Sequence, residues 1–436
     1  MNDESDASEP LEETGASGPE LAVLVALGKP DEDSSSLEEL AALVRTAGAE
    51  PVALVVQNLD HPRAATYVGK GKLDELEALA LSLGADLVVF DAELRPVQHR
   101  TLVDRLPCKV LDRTELILDI FAQRARSLEG KLQVELAQLQ YTLPRLTGRG
   151  KMMSRIGGGM RSSGPIGTRG PGRMKLEVDR ARIQHRMHRI RKDLAEVARR
   201  RQVSRSARQE AGLPAASLVG YTNAGKSSLL NALAGGEEVS VRDRLFETLD
   251  TTTRRVTISP GRDAAVSDTV GFVRHLPHQL VAAFHATLEE ALQADLLVQV
   301  IDASDSDHEK QREATWEVLR DLGALETPMI HAFNKVDLVA DRATLERTMS
   351  SLPNALAISA KTGEGLDALR DVMNALLVEG FAPVTLEVPY AALHLLNLRS
   401  EEGRVLSYQY EAERVVADAE LGPAALSRLR KYIVAS

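Results

Sequence analysis

The segment Gly220-Tyr221-Thr222-Asn223-Ala224-Gly225-Lys226-Ser227 limits what this chain can fold into more than any other part of it. Glycines at its first and sixth positions let the backbone curl until successive N–H groups point inward, and a lysine and a hydroxyl follow at once. An apolar run, Ala216–Val219, precedes it, and a helical pattern, Ser228–Leu233, follows. Strand, glycine turn and helix in that order set the positive end of a helix over the loop. That is a phosphate cradle. Lys226 is placed to reach the β- and γ-phosphates of a nucleoside triphosphate, and Ser227 offers an oxygen ligand to Mg2+. The expected phosphate-contacting set is Gly220 to Ser228.

Three later segments fit the same chemistry. A strand ending in Val266–Asp268 runs into Thr269-Val270-Gly271, where Asp268 can hold Mg2+ through a water and the Gly271 amide can meet a γ-phosphate. The apolar strand Met329–Phe333 leads into Asn334-Lys335-Val336-Asp337. A carboxylate buried in a base pocket there accepts two hydrogen bonds, from N1–H and the 2-amino group, which guanine has and adenine lacks. Ser359-Ala360-Lys361, after the strand Ala355–Ile358, is placed to present backbone N–H to the guanine O6.

Four motifs in this order resemble the translation-factor-like class of P-loop GTPases. The resemblance implies a first switch segment between Val239 and Thr253, where Phe246-Glu247-Thr248-Leu249-Asp250 precedes Thr251-Thr252-Thr253. It also implies a threonine that completes Mg2+ coordination; Thr248 is favoured and Thr252 is the competitor. Where many such enzymes carry a water-orienting glutamine after the Asp-x-x-Gly motif, this chain has Phe272. A phenyl ring cannot hold a water in line, so hydrolysis should be slow in isolation and completed by a partner or another residue, and the catalytic group stays unassigned.

Net charge is −10 over 436 residues, which argues against a polyanion partner only if the charge is evenly spread. It is not. Between Arg145 and Arg208 nineteen Lys/Arg face four acids, a local +15, which leaves −25 for the remainder. From Ser127 on, Leu128, Leu132, Leu136, Leu139 and Leu143, then Leu176, Ile183, Met187, Ile190, Leu194 and Val197, fall at heptad-like spacings, predicting an antiparallel helical hairpin. Its tip, 147–172, has nine glycines and two prolines and carries Arg149, Lys151, Arg155, Arg161 and Arg169, with Arg173 just beyond. These six are the candidate RNA contacts. No Phe, Tyr or Trp occurs between Arg145 and Arg208, which suits phosphates and folded RNA shape better than stacked single-stranded bases.

Elsewhere, short apolar runs (Leu21–Leu27, Pro51–Gln57, Asp86–Phe90, Cys108–Leu111) alternate with helical patterns (Leu37–Ala47, Leu73–Leu83, Pro96–Leu106), predicting a parallel α/β sheet. Gly69-Lys70-Gly71-Lys72 reads either as an anion-facing helix start or as an ordinary glycine turn. After 380 the pattern is strand (Val384–Val388), helix (Ala391–Leu398), strand (Arg404–Tyr410), strand (Arg414–Ala417) and helix (Ala424–Ile433), with no set of catalytic spacing. The expected organisation is an α/β chain: acidic disordered tail 1–20, N-terminal parallel α/β domain 21–126, helical hairpin 127–212, P-loop GTPase domain 213–379, and small C-terminal α+β domain 380–436. One cysteine, Cys108, excludes an intrachain disulfide and a cysteine-rich metal site, and no apolar run spans a bilayer, so a cytoplasmic protein without a membrane span is expected.

Taken with Thr66-Tyr67-Val68-Gly69-Lys70-Gly71-Lys72, Leu111-Asp112-Arg113-Thr114, Ile120-Phe121-Ala122-Gln123-Arg124, the segment Lys131–Leu139 and Gly167-Thr168-Arg169-Gly170-Pro171-Gly172, the chain resembles the HflX family over about residues 20 to 436. The resemblance implies GTP and GDP as ligands, Mg2+ as cofactor, a monomer, and the large ribosomal subunit and its RNA as partner, with a role in splitting or rescuing stalled ribosomes under stress. Two departures stand out: Arg173-Met174 where the family has Glu-Thr, and extra loop sequence at 160–165. Two other classes fit the GTPase motifs. An RNA-modifying enzyme would need a second chemical centre, such as a reactive cysteine that Lys431–Ser436 lacks; a protein-only signalling GTPase leaves the basic hairpin without a purpose.

Overall fold

Apolar segments too short for helices, each followed by an amphipathic stretch, fold as buried parallel strands. The computed structural model describes residues 18–28, 34–59, 61–146, 171–210, 213–235, 246, 251–274, 294–377, 382–398 and 403–434. It forms two compact units, divided between Leu116 and Ile117. In the first, β1 (Leu21–Leu27), β2 (Glu50–Gln57), β3 (Leu87–Phe90) and β4 (Lys109–Asp112) make a parallel sheet ordered β2-β1-β3-β4. The helices α1 (Ser34–Ala47), α2 (Lys70–Leu83) and α3 (Pro96–Arg105) connect them, and Val23, Val88, Phe90, Leu76 and Leu102 fill one core. At the start of α2 the Gly69 N–H donates to Gln57 Oε1 at 2.8 Å, and Lys72 pairs with Glu75, so this turn uses its polar groups internally.

The sequence pattern does not announce α4 (Arg113–Arg124). Leu116, Ile117, Leu118, Ile120 and Phe121 are all buried, while Glu115, Asp119 and Gln123 lie toward solvent. Its first residue, Arg113, is only 2% exposed and is neutralised by Glu39 and by Asp91 at 2.6 Å. The division between the units falls inside α4.

After the remainder of α4, the second unit continues with the hairpin. Ser127 caps α5 (Leu128–Arg145), its Oγ accepting the Gly130 N–H at 2.9 Å. Leu132 and Leu136 pack against Met187 and Ile190 of α6 (Pro171–Glu210), and Glu135 grips Arg186 through two 2.6 Å bonds. The helix starts at Pro171, so the expected 147–172 loop is too long at its end: proline lacks the N–H that a first helical turn leaves unused, and its φ is already helical. Arg149, Lys151, Arg155, Arg161 and Arg169 lie outside the described residues, as does the side chain of Arg173 in the first turn of α6.

Next comes a six-stranded sheet ordered β10-β9-β8-β5-β7-β6: β5 (Ala215–Gly220), β6 (Thr252–Ser259), β7 (Arg262–Asp268), β8 (Leu296–Asp302), β9 (Met329–Asn334) and β10 (Ala355–Ala357). Only β6 is antiparallel, paired to β7 as a hairpin. Among the described residues the helices here are α7 (Lys226–Ala234), α8 (His308–Asp321), α9 (Arg342–Ser350) and α10 (Leu366–Leu377). Leu218, Val266, Val298 and Ile330 of the strands meet Leu229, Leu233, Leu369 and Met373 of the helices. The carboxyl ends of β5, β7, β8 and β9 therefore gather at one edge, where ligands of open α/β sheets bind.

The C-terminal sheet is antiparallel, ordered β12-β13-β11-β14, from β11 (Ala382–Pro389), β12 (Gly403–Tyr410), β13 (Arg414–Leu421) and β14 (Ile433–Val434). The expected helix Ala391–Leu398 is a 3-10 segment, Tyr390–Leu396, and the expected helix Ala424–Ile433 stops early, as α11 (Pro423–Leu429). Ile433 and Val434 leave the helix to pair with Leu386 and Thr385, a tertiary contact that local propensity does not contain. This sheet is fastened to the turn of the β6–β7 hairpin: Arg262 (2.6 Å) and Arg404 (3.0 Å) share Glu420 Oε2, and Arg404 also donates to the Pro260 carbonyl at 2.6 Å. Among the described residues no helix is long and apolar enough to cross a membrane.

Candidate nucleotide-binding site

The loop between β5 and α7 can exist only with glycine at its ends. Gly220 has φ +148° and presses on the Val300 carbonyl; Gly225 has φ +91° and presses on the Asn334 amide. Between them Asn223 also adopts positive φ (+61°), tolerable for asparagine. Lys226 is buried and donates to the carbonyls of Tyr221 (2.8 Å) and Gly220 (3.2 Å), which aims its ammonium along the loop. Burial pushes this lysine down to about 8, with Asp268 pulling the other way.

Ser227 Oγ donates to Asp268 Oδ2 at 2.6 Å, so the end of β7 meets the start of α7. Asp268 is 1% exposed. A buried carboxylate beside a hydroxyl is the hard-oxygen donor set Mg2+ prefers, and among the described residues no cluster of His, Cys, Asp or Glu suits a metal bound by side chains alone. Thr269 is fixed by its Oγ1–H to the Leu218 carbonyl at 2.7 Å, and Val270 is buried. Gly271 is pressed so close to the loop that an added Cβ would lie 2.8 Å from Thr222 and 3.0 Å from Lys226 Nζ.

At the other end, Asn334 ties three segments. Its Nδ2–H donates to the Ala224 carbonyl and its Oδ1 accepts the Ala360 N–H, each at 2.9 Å. Lys335 has φ +64° and its ammonium pairs with Asp302 at 2.7 Å. Val336 is buried, and Ser359 Oγ donates to Asp337 Oδ1 at 2.6 Å, holding that carboxyl below the usual range. Asp337 is exposed, which corrects the expectation of a buried carboxylate: it stands on a 3-10 turn at the rim of the sheet. The turn therefore presents an ionised acceptor aimed by Ser359. The amides of Ser359 and Ala360 are taken by Glu364 and Asn334, so of the Ser359-Ala360-Lys361 amides these bonds leave that of Lys361.

Phe272 is 2% exposed and packs with Val219, Leu297 and Leu319, so its ring belongs to the core. Of the first switch segment, Glu247, Thr248, Leu249 and Asp250 lie outside the described residues. Phe246 is buried against Phe121, and Thr252 opens β6 opposite Asp268. Three relationships escaped the sequence reading: Asp302 to Lys335, Tyr221 to Arg274, and Phe121 to Phe246. At least one partner of each pair sits in a motif (Lys335, Tyr221, Phe121 and Phe246), and the pairing itself is set by the packed chain.

A central parallel sheet, a glycine loop bent around a buried lysine, and an Asn-Lys-x-Asp turn at the same edge define a P-loop GTPase. Family profiles described as "GTP-binding GTPase N-terminal", "GTP-binding GTPase Middle Region" and "50S ribosome-binding GTPase" match residues 34–122, 124–208 and 215–335. The chain belongs to the HflX family of GTPases. It is 45% identical over 415 residues to GTPase HflX of Caldanaerobacter subterraneus subsp. tengcongensis, covering 95% of this chain and 94% of that one. With GTPase HflX of Escherichia coli K12 it shares 41% over 398 residues, 91% and 89% of the two chains. A crystal structure of a GTP-binding protein from the hyperthermophilic archaeon Sulfolobus solfataricus in complex with GDP is 26% identical, with 83% and 99% coverage and a TM-score of 0.43. The chain binds GTP and hydrolyses it to GDP and phosphate.

Proposed function

We propose that this GTPase is a switch that docks on the large ribosomal subunit through ribosomal RNA and splits or rescues stalled ribosomes under stress. The observation that carries this reading is the exposed cationic face of α6, where Arg180, Arg182, Arg189, Arg191, Lys192 and Arg199 all face solvent. A face so charged would neutralise RNA phosphates, and Arg149, Lys151, Arg155, Arg161, Arg169 and Arg173 would extend it. The ribosome-binding description of the matched GTPase profile supports the same partner. The site of action would be the cytoplasm, and the acting form a monomer.

In the site, we assign the loop Gly220–Ser228 and Lys226 to the phosphates, with Thr269, Val270 and Gly271 at the γ-phosphate. Asn334, Lys335, Val336, Asp337, Ser359, Ala360 and Lys361 form the guanine pocket. Ser227 and Asp268, the latter through water, would hold Mg2+ together with Thr248 from the segment Phe246–Asp250; the ion, when bound, neutralises charge developing on the phosphates. Lys226 adds its ammonium to the same task. Because Phe272 is committed to the core, the group that orients the attacking water must come from elsewhere, and we propose that ribosome binding supplies or positions it.

Sedimentation with purified large subunits, with GDP or a non-hydrolysable GTP analogue across a salt series, tests the reading. Co-sedimentation should require the GTP analogue. If six to ten phosphates are neutralised, affinity should fall about 10³-fold or more from low to moderate salt. Association that ignores salt, or none with the analogue, overturns it.

A further inference from the structure

Tyr221 is the second residue of the phosphate-binding loop, yet its ring is buried, 5% exposed, among Val219, Phe272, Leu297 and Leu319. Its carbonyl accepts from the Lys226 ammonium at 2.8 Å. Its hydroxyl accepts the backbone N–H of Arg274 at 2.7 Å. One residue thus touches both the phosphate lysine and the chain leaving Gly271.

Main-chain bonds join the same two segments. Tyr221 and Phe272 form a parallel bridge, the Thr222 N–H donates to the Phe272 carbonyl at 2.8 Å, and the Phe272 N–H donates to the Gly220 carbonyl at 3.1 Å. The last of these main-chain bonds to the loop is at Phe272 among the described residues. Beyond it the Tyr221 hydroxyl carries the attachment on to Arg274, whose guanidinium is anchored to Asp307 at 3.0 Å. A hydroxyl on a rigid buried ring acts as a strut of fixed length, and it adds no conformational freedom to the segment it supports.

We propose that the Tyr221 hydroxyl is a positioning group for GTP hydrolysis: by holding the Arg274 amide it keeps Gly271 pressed against Thr222 and Lys226. This rests on the reading of Gly271 as the γ-phosphate contact. An amide fixed before the γ-phosphate reacts need not be reorganised in the transition state, so its benefit belongs to turnover. GDP has no γ-phosphate and gains nothing from it.

Tyr221→Phe in the full chain keeps the ring and deletes the hydroxyl. The expected result is a three- to tenfold lower kcat, about what one net hydrogen bond is worth, with KM for GTP and Kd for GDP within about twofold. Hydrogen exchange at the Arg274 amide should quicken in the same variant. An unchanged kcat, an unchanged exchange rate at Arg274, or a parallel loss of GDP affinity would each overturn the proposal, the last by showing general loosening of the loop. Wild-type protein run alongside separates the two readings. Should it neither bind nor turn over GTP, the assignment of the site fails; should it turn over normally and match Tyr221→Phe, only the strut fails.

Discussion

Phe246 lies edge-on to Phe121, ring centroids 4.6 Å apart and planes at 75°, so a buried residue of the segment before β6 rests on helix α4. Both rings are fully buried, and Phe246 holds this place at a φ of +54°, a backbone conformation costly for an aromatic residue. Contact with α4 offsets that cost. Phe121→Ala should destabilise the second unit by about 3–5 kcal/mol in urea unfolding, the usual range for deleting a buried phenyl. In a double-mutant cycle with Phe246→Leu, the pair should couple by about 0.5–1.5 kcal/mol; strict additivity would show that the rings do not meet in solution.

Lys226 gives the site a pH dependence. In the free protein burial lowers it to about 8, while phosphate in the loop favours the ammonium. Nucleotide must therefore pull a proton onto the free protein above that pH, and GDP affinity should fall as pH rises through 8. The stability of the nucleotide-free fold moves the other way: an unfolded lysine titrates near 10.5, so the cost of burying the charge is full below pH 8 and relaxes between 8 and 10.5. Calorimetric titrations of GDP from pH 7 to 9.5 read the first trend, and Lys226→Ala should flatten it.

Asp337 supplies a carboxylate that Ser359 keeps ionised. Replacing it by asparagine turns half of the acceptor into a donor, which mismatches the N1–H and 2-amino group of guanine. Asp337→Asn should weaken GDP binding by about 10²- to 10⁴-fold, as expected when a site built for a substrate's hydrogen bonds is left mispaired. Xanthosine diphosphate, with a carbonyl at the 2-position, should recover part of the loss; equal weakening for both diphosphates would count against this pocket.

Glu420 takes hydrogen bonds from Arg262 and Arg404 on one oxygen, joining the C-terminal sheet to the β6–β7 turn. The arginine of the first pair is nearly buried, 10% exposed at its side chain, so removing the carboxylate strands a cation. Glu420→Gln should cost about 2 kcal/mol, below the 3–5 kcal/mol of a fully buried pair because Glu420 is itself partly solvated. Glu420→Gln combined with Arg262→Met should recover part of the stability, since the more buried cation is then gone and Arg404 keeps its bond to the Pro260 carbonyl. Thermal unfolding of the three proteins decides it.

Several features needed only the order of residues along the chain. Glycine at 220 and 225 suits positive φ where a Cβ would also collide with Val300 or Asn334, and the apolar runs of β1, β5 and β8 are continuous because both faces of those strands are covered. The charge of α6 and the leucine spacing of α5 are likewise local patterns, read without knowing what they touch. By contrast the last helix ends earlier than its local pattern predicts, because Ile433 pairs with a strand far away in sequence.

What the sequence determined alone was therefore the class of chemistry: a phosphate loop, an Asn-Lys-x-Asp turn and one cationic region, each set by neighbours a few residues apart. What the tertiary structure decided was how those pieces are held. Asp337 stands exposed instead of buried, Phe272 is spent on the core, and Tyr221 grips Arg274. Burial and long-range hydrogen bonds depend on which strands lie side by side, and a linear pattern carries that only through the packed chain.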